Sequence, residues 1–103
     1  MDLDKAVESA LEIESVASTE AHTSEPTKGR LVAACRRIQD VMQQYNLIVH
    51  RCEVMKSWAD VFAGPGHEAR KRKEAREYIL RNTREMLVIL RMQQLSPPDK
   101  MQP

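Results

Sequence analysis

The chain is predicted to be all-α: a long antiparallel helical hairpin, coiled-coil-like, preceded by a short amphipathic helix and dimerising into a helical bundle. Three observations predict this. Ala, Leu, Met, Arg, Lys, Glu and Gln are plentiful, while Tyr45, Trp58, Phe62 and Tyr78 are the only aromatic residues, a balance that favours helix over sheet. From Arg30 to Phe62 there is neither Gly nor Pro, and apolar residues recur with a heptad period throughout. Ala63-Gly64-Pro65-Gly66 then interrupts the pattern, because Gly accepts left-handed backbone and Pro cannot continue the hydrogen-bond ladder.

Residues 1–17 form an acidic amphipathic helix in this reading. Leu3, Ala6, Val7, Ala10, Ile13 and Ala17 fall on one face at three- and four-residue steps, with the acids mostly opposite. Residues 18–26 carry turn formers without apolar periodicity and are expected to be a flexible linker. Such a linker reaches at most about 30 Å, which leaves open whether the first helix packs on its own hairpin.

The hairpin occupies residues 27–95, as helices 27–62 and 67–95 joined by a turn at 63–66. Pro26 is tolerated in a first helical turn and Ser24 is a candidate cap. In heptad notation the a positions of the long helix are Leu31, Ile38, Tyr45, Cys52 and Ala59, and the d positions are Ala34, Val41, Ile48, Met55 and Phe62. Cys35, Met42 and Val49 at e widen the stripe. A second stripe, Leu47, Val54, Trp58 and Val61, recurs on another side of the later half. It requires a second cover: the N-terminal helix, another subunit or a partner protein. Residues 96–103 are expected to be a disordered tail.

Folding about the turn sets residue n opposite residue 129 − n, pairing Leu31–Met42 with the apolar segment Met86–Met92. That end is expected to be the core. A self-association seam is expected along Leu31, Ile38, Val41, Met42, Tyr45, Ile48, Met86, Ile89 and Leu90, since short single domains bury a small share of their surface. At the turn end, Met55, Trp58, Val61 and Phe62 meet a segment with few apolar covers. The candidate partner-binding surface is therefore Trp58, Phe62, Val54 and Val61 as apolar anchors, with Arg70, Lys71, Arg72, Lys73 and Arg76 selecting an acidic partner. The competing reading has the long Arg and Lys stems lying over the aromatics with their charges solvated.

Charge is distributed unevenly. Residues 1–27 hold seven acids and one lysine, net −6, whereas residues 28–96 hold fourteen basic and seven acidic residues, net +7. An acidic arm thus precedes a basic core.

No chemistry is written in the motifs. His67-Glu68-Ala69-Arg70-Lys71 begins like the zinc-protease pattern HExxH, but Lys71 stands where the second imidazole is needed. His50 and Glu53 have the reverse of the order used in di-metal bundles and lack a matching pair. Cys52 at an a position reads as a small apolar core residue rather than a nucleophile. The three glycines form no phosphate loop. The expectation is a non-enzyme with no cofactor, no metal and no small-molecule substrate.

Asp2 and Asp4 stand where a secretory signal carries positive charge, and no apolar run approaches the roughly 20 residues of a membrane span. In one helix Cys35 and Cys52 would lie about 25 Å apart, beyond disulfide reach, so the thiols are expected to be free in a reducing intracellular compartment, cytoplasmic or nuclear.

The function expected from these features is a protein-protein interaction module, a scaffold or adaptor subunit of a larger complex. Its expected partners are itself, as a homodimer, or another helical protein. The alternative is sequence-independent binding of duplex RNA or DNA, with Arg30, Arg36, Arg37, Arg51 and the 70–76 cluster along a phosphate backbone.

Overall fold

The computed structural model describes residues 2–19, 25–64 and 66–95, and every regular element among them is helical. The elements are α1 (Leu3–Thr19), α2 (Glu25–Val41), α3 (Asn46–Ala63) and α4 (Ala69–Leu95). Consecutive helices run antiparallel, and α1 closes the ring by packing against both α2 and α4. The pairs that fix this register are Arg37 with Ser9 and Glu12 across α1 and α2, Lys28 with Asp60 across α2 and α3, Cys52 with Met86 across α3 and α4, and Arg84 with Glu14 across α4 and α1. The chain is an antiparallel four-helix bundle.

The expected continuous helix over 27–62 is instead two helices. Intrahelical bonding stops at Met42, whose N–H still donates to the Ile38 carbonyl at 2.9 Å. The Tyr45 N–H then closes a tight turn on the Met42 carbonyl, and the new helix starts where the Val49 N–H donates to the Tyr45 carbonyl. Tyr45 sits at φ −106°, ψ 85°, outside the helical region, with no side-chain cap. The turn forfeits a few hydrogen bonds of an uninterrupted helix. In return the chain folds the apolar faces of both halves into one core, where Leu31, Ala34, Cys35 and Ile38 lie with Ile48, Cys52, Met55, Ala59 and Phe62.

α1 supplies the fourth wall. Ala6, Ala10, Ile13, Val16 and Ala17 are fully buried, and Leu3 and Val7 pack against the same core. Of the expected linker 18–26, residues 18 and 19 belong to α1 and residues 25 and 26 to α2, while 20–24 lie outside the described residues. So does the expected tail at 96–103. The pairing of Leu31–Met42 with Met86–Met92 is also corrected. α4 pairs with α3, Cys52 beside Met86 and Met55 beside Thr83, whereas residues 31–41 lie on α2, flanked by α1 and α3, and Met42 opens the turn after it.

The expected self-association seam is consumed within one chain. Leu31, Ile38, Met42, Ile48, Met86 and Leu90 are at most 1% exposed, and Val41, Tyr45 and Ile89 pack partly buried against them. A second copy could reach the six buried side chains only by opening the bundle, while Val41, Tyr45 and Ile89 keep part of their surface exposed. Core polar groups are satisfied locally: the buried Thr83 hydroxyl donates to the Ile79 carbonyl at 2.6 Å, and buried Ser9 accepts from Arg37 Nε.

At the end of α3, Gly64 donates its N–H to the Asp60 carbonyl at 2.7 Å, and a Cβ there would stand 2.4 Å from that same oxygen. Gly66 holds φ +83°, the left-handed conformation expected of this turn. Pro65 lies outside the described residues. Gly29 has open space around it inside α2. Gly29→Ala is therefore expected to stabilise the fold by about 1 kcal/mol. Gly64→Ala is expected to destabilise it by about 1–3 kcal/mol through the clash with Asp60. Urea denaturation of the two variants checks the opposite signs.

Candidate functional site

The residues proposed from sequence as a recognition tip separate into two groups once the helices are in place. Phe62 is 1% exposed and belongs to the core, so it offers nothing to a partner. Its ring is roofed by the Arg76 guanidinium, 5.3 Å from the centroid, a cation–π contact that uses this arginine structurally. Arg72 is likewise engaged: its Nε donates to the His67 carbonyl at 3.0 Å and its Nη2 to the Gly64 carbonyl at 3.2 Å, tying the loop down on α4. Arg70, Lys71 and Lys73 point into solvent, with Arg70 making only a 3.9 Å pair with Glu74. At Arg76 the charged guanidinium, rather than the aliphatic stem, covers the aromatic ring, and Arg70, Lys71 and Lys73 are the exposed cations of the expected cluster.

Trp58, Val54 and Val61 are half-buried on a different part of the surface. Trp58 stacks on Tyr78 of α4, with centroids 4.9 Å apart and planes at 27°. Two helical turns away along α3, Arg51 Nη1 donates to Glu85 at 2.6 Å and to Asn82 at 2.9 Å. These contacts define the outer seam between α3 and α4. Along α3 the seam is bordered by Leu47, Arg51, Val54, Trp58 and Val61, each three or four residues after the last and so on one row. Along α4 the facing row is Lys71, Glu74, Tyr78, Arg81, Glu85, Val88, Met92 and Leu95, spaced in the same way.

The seam is a shallow groove with unlike ends. At the open end, Leu47 and Val88 are each 59% exposed, Met92 63% and Leu95 83%. The register of Cys52 with Met86 places Leu47 level with Met92. In the middle, the Arg51–Glu85 pair and the Trp58–Tyr78 stack brace the two walls. At the other end α4 continues past the last residue of α3, carrying Arg70 and Lys71. The second stripe read from the sequence, Leu47, Val54, Trp58 and Val61, is this α3 wall. Val88 and Met92, expected within the core segment Met86–Met92, are instead exposed, and with Leu95 they keep a four- and three-residue spacing along the outer face of α4.

The acidic arm does not hang free. Glu12 of α1 takes Arg37 at 2.6 Å and Arg30 at 3.8 Å, and Glu14 takes Arg84 at 3.4 Å. With Arg51 held by Glu85, three cations expected along a nucleic-acid backbone, Arg30, Arg37 and Arg51, are each beside a carboxylate of their own chain. Arg36 remains exposed.

The two thiols also change place. Separated along a continuous helix, Cys35 and Cys52 would be remote, but the reversal at Met42–Tyr45 makes them buried neighbours on α2 and α3. The Cys52 thiol is held well above its ordinary pKa by its interaction with Cys35 and by burial, and its Sγ lies 3.8 Å from Met86 Sδ. It is a protonated core group, poorly suited to nucleophilic attack. His50 is exposed, and His67 Nε2 lies 3.7 Å from Asp60. Among the described residues no three His, Cys, Asp or Glu side chains are grouped to hold a metal ion, and no helix is long and apolar enough to cross a membrane.

The described residues form a four-helix bundle whose outer α3–α4 seam exposes apolar side chains at one end. Comparison with protein-family models, with curated proteins and with solved structures finds no match.

The division of the basic cluster is directly measurable. Arg72→Ala should destabilise the fold by about 1–3 kcal/mol, because two loop carbonyls lose a charged donor. Lys73→Ala should stay within about 0.5 kcal/mol of the parent. Thermal or urea denaturation of the pair checks the contrast.

Proposed function

We propose that this chain is a non-enzymatic protein-interaction module, a scaffold or adaptor subunit that receives a helix of another protein in the outer groove between α3 and α4. The observation that carries this reading is the exposed apolar cluster of Leu47 on α3 with Val88, Met92 and Leu95 on α4, in line with half-buried Val54, Trp58 and Val61 beyond the Arg51–Glu85 pair. The bundle already satisfies its own core with α1, and α1 packs on α2 and α4 rather than over this row. An amphipathic helix that lays its apolar face into a hydrophobic groove is a recurrent recognition mode. Trp58, braced by Tyr78, has the rigid, partly wet character of an interface anchor.

Homodimerisation through the Leu31 to Leu90 seam is not part of this reading, since those side chains fill the interior of the chain itself. Nor does the phosphate-backbone alternative gain support from Arg30, Arg37 and Arg51, whose charges meet Glu12 and Glu85.

The test is Leu47→Glu combined with Met92→Glu. Both side chains are exposed, so helicity and denaturation midpoint should be retained. Capture of native partners, quantified by mass spectrometry after nuclease treatment, should fall about tenfold or more. Unchanged capture by the double variant would contradict the proposal. Capture that survives the substitutions but is lost to nuclease would favour duplex binding instead.

A further inference from the structure

Away from the groove, we infer that Cys35 and Cys52 form a reversible intrachain disulfide when hydrogen peroxide reaches them, stapling α2 to α3. They are the only cysteines of the chain, and the fold brings both into the core. Lys28 meets Asp60 toward one end of the α2–α3 interface, and Gln39 meets the Val49 carbonyl toward the other. A steady antiparallel register between those two contacts sets Cys35 level with residue 53, one position from Cys52. The side chains complete the match: each thiol interacts directly with the other, and both are at most 1% exposed.

The backbone spacing suits a covalent bond. Helices with axes about 10 Å apart and Cα atoms about 2.3 Å from each axis bring directly facing Cα atoms to about 5 Å. A disulfide spans about 4.4–6.8 Å between Cα atoms, so the bond asks for side-chain rotation rather than helix movement.

The surroundings give the two thiols unlike roles. Cys35 is held below its ordinary thiol range by its interaction with Cys52 and by the Lys56 ammonium, against the opposing effect of burial. It is the sulfur better prepared to attack. Lys56 stands one turn after Cys52, where its Nζ meets Glu53 at 2.6 Å and Gln39 Oε1 at 3.0 Å. These partly exposed contacts edge the seam, and their opening admits a molecule as small as peroxide.

The reaction balances. The Cys35 sulfur attacks one peroxide oxygen and the O–O bond breaks, giving a sulfenic acid and water. The Cys52 sulfur then attacks the Cys35 sulfur, the S–O bond breaks, and the hydroxyl leaves with the Cys52 proton as a second water. Two thiols and one peroxide thus give one disulfide and two waters, with both sulfurs oxidised and both peroxide oxygens reduced. Cys52 is held protonated chiefly by Cys35, and conversion of Cys35 to the sulfenic acid removes that hindrance. Exchange with a dithiol reverses the bond.

The experiment treats the folded, reduced full chain with hydrogen peroxide, alkylates any remaining thiol in denaturant and maps the peptides. A peptide joining Cys35 to Cys52, two hydrogens lighter than the reduced pair, should accumulate in a single chain and disappear with dithiothreitol. The thermal midpoint of the oxidised chain should rise by about 10 °C or more, because the staple constrains the unfolded state. In Cys52→Ala the sulfenic acid has no partner, so dimedone should trap it at Cys35, whereas Cys35→Ala should leave Cys52 unlabelled. Circular dichroism checks that both variants stay helical.

Recovery of both cysteines as free thiols, including in urea below the unfolding transition where the seam opens, would overturn the inference. A disulfide found only between chains, a sulfinic acid without a crosslink, or a crosslink that lowers the thermal midpoint would overturn it equally. Equal dimedone labelling of the two single variants would contradict the assigned roles.

Discussion

A helix with a broad apolar face must hide it, and at Met42–Tyr45 the chain does so by turning back on itself. This reversal is the constraint on which the rest of the bundle depends. It sets α2 beside α3 and places Cys35 next to Cys52. With α4 returning on the far side of α3, it also leaves a trough between α2 and α4 that only a fourth helix can fill. α1 fills it with small residues, Ala6, Ala10 and Ala17, around the larger Ile13 and Val16. Small side chains permit close approach, and the flanking carboxylates Glu12 and Glu14 then fall within reach of Arg37 and Arg84. Those pairs are partly exposed and add little to stability; their contribution is to orient α1, while apolar burial supplies the driving force.

Because the core is complete within one chain, the residues left outside acquire meaning. Exposed leucines scattered singly need no explanation. Leu47, Val88, Met92 and Leu95 are not scattered: the α3–α4 register gathers them at one end of one groove, next to three half-buried side chains of the same row. The Arg51–Glu85 pair and the Trp58–Tyr78 stack hold the groove walls at a fixed spacing, so a helix seated there meets a surface already organised. The proposed function starts from the closed core, because these apolar side chains take no part in it.

Much of this was legible in the sequence, and the failures have one source. The heptad positions Leu31, Ile38, Ile48, Cys52, Met55, Ala59 and Phe62 are all buried, as their spacing requires. The helix after the glycine turn begins at Ala69 rather than at the expected residue 67 and runs to Leu95. What periodicity cannot report is the partner of a buried face. The stripe keeps its phase across Met42–Tyr45, with Ile38 before the turn and Ile48 after it both in the core, so two helices read as one. Gln43-Gln44-Tyr45-Asn46 contains neither Gly nor Pro, and only a run of polar residues hints at the break. From that single misreading followed the remote thiols, the exposed seam that called for a second subunit, and the uncovered Phe62. The second stripe on α3 was visible for the opposite reason: it is a surface feature, and its spacing needs no partner to be recognised.

The reversal at Met42–Tyr45 is tested most directly by a distance. Ala33→Cys and Ser57→Cys introduce spin labels at exposed positions on α2 and α3, in a background carrying Cys35→Ala and Cys52→Ala. Pulsed dipolar spectroscopy should give a short separation, on the order of 20 Å or less, as for facing positions on helices packed about 10 Å apart. A distance near 36 Å, the span of the same residues along one unbroken helix at about 1.5 Å per residue, would contradict the bundle and with it the groove.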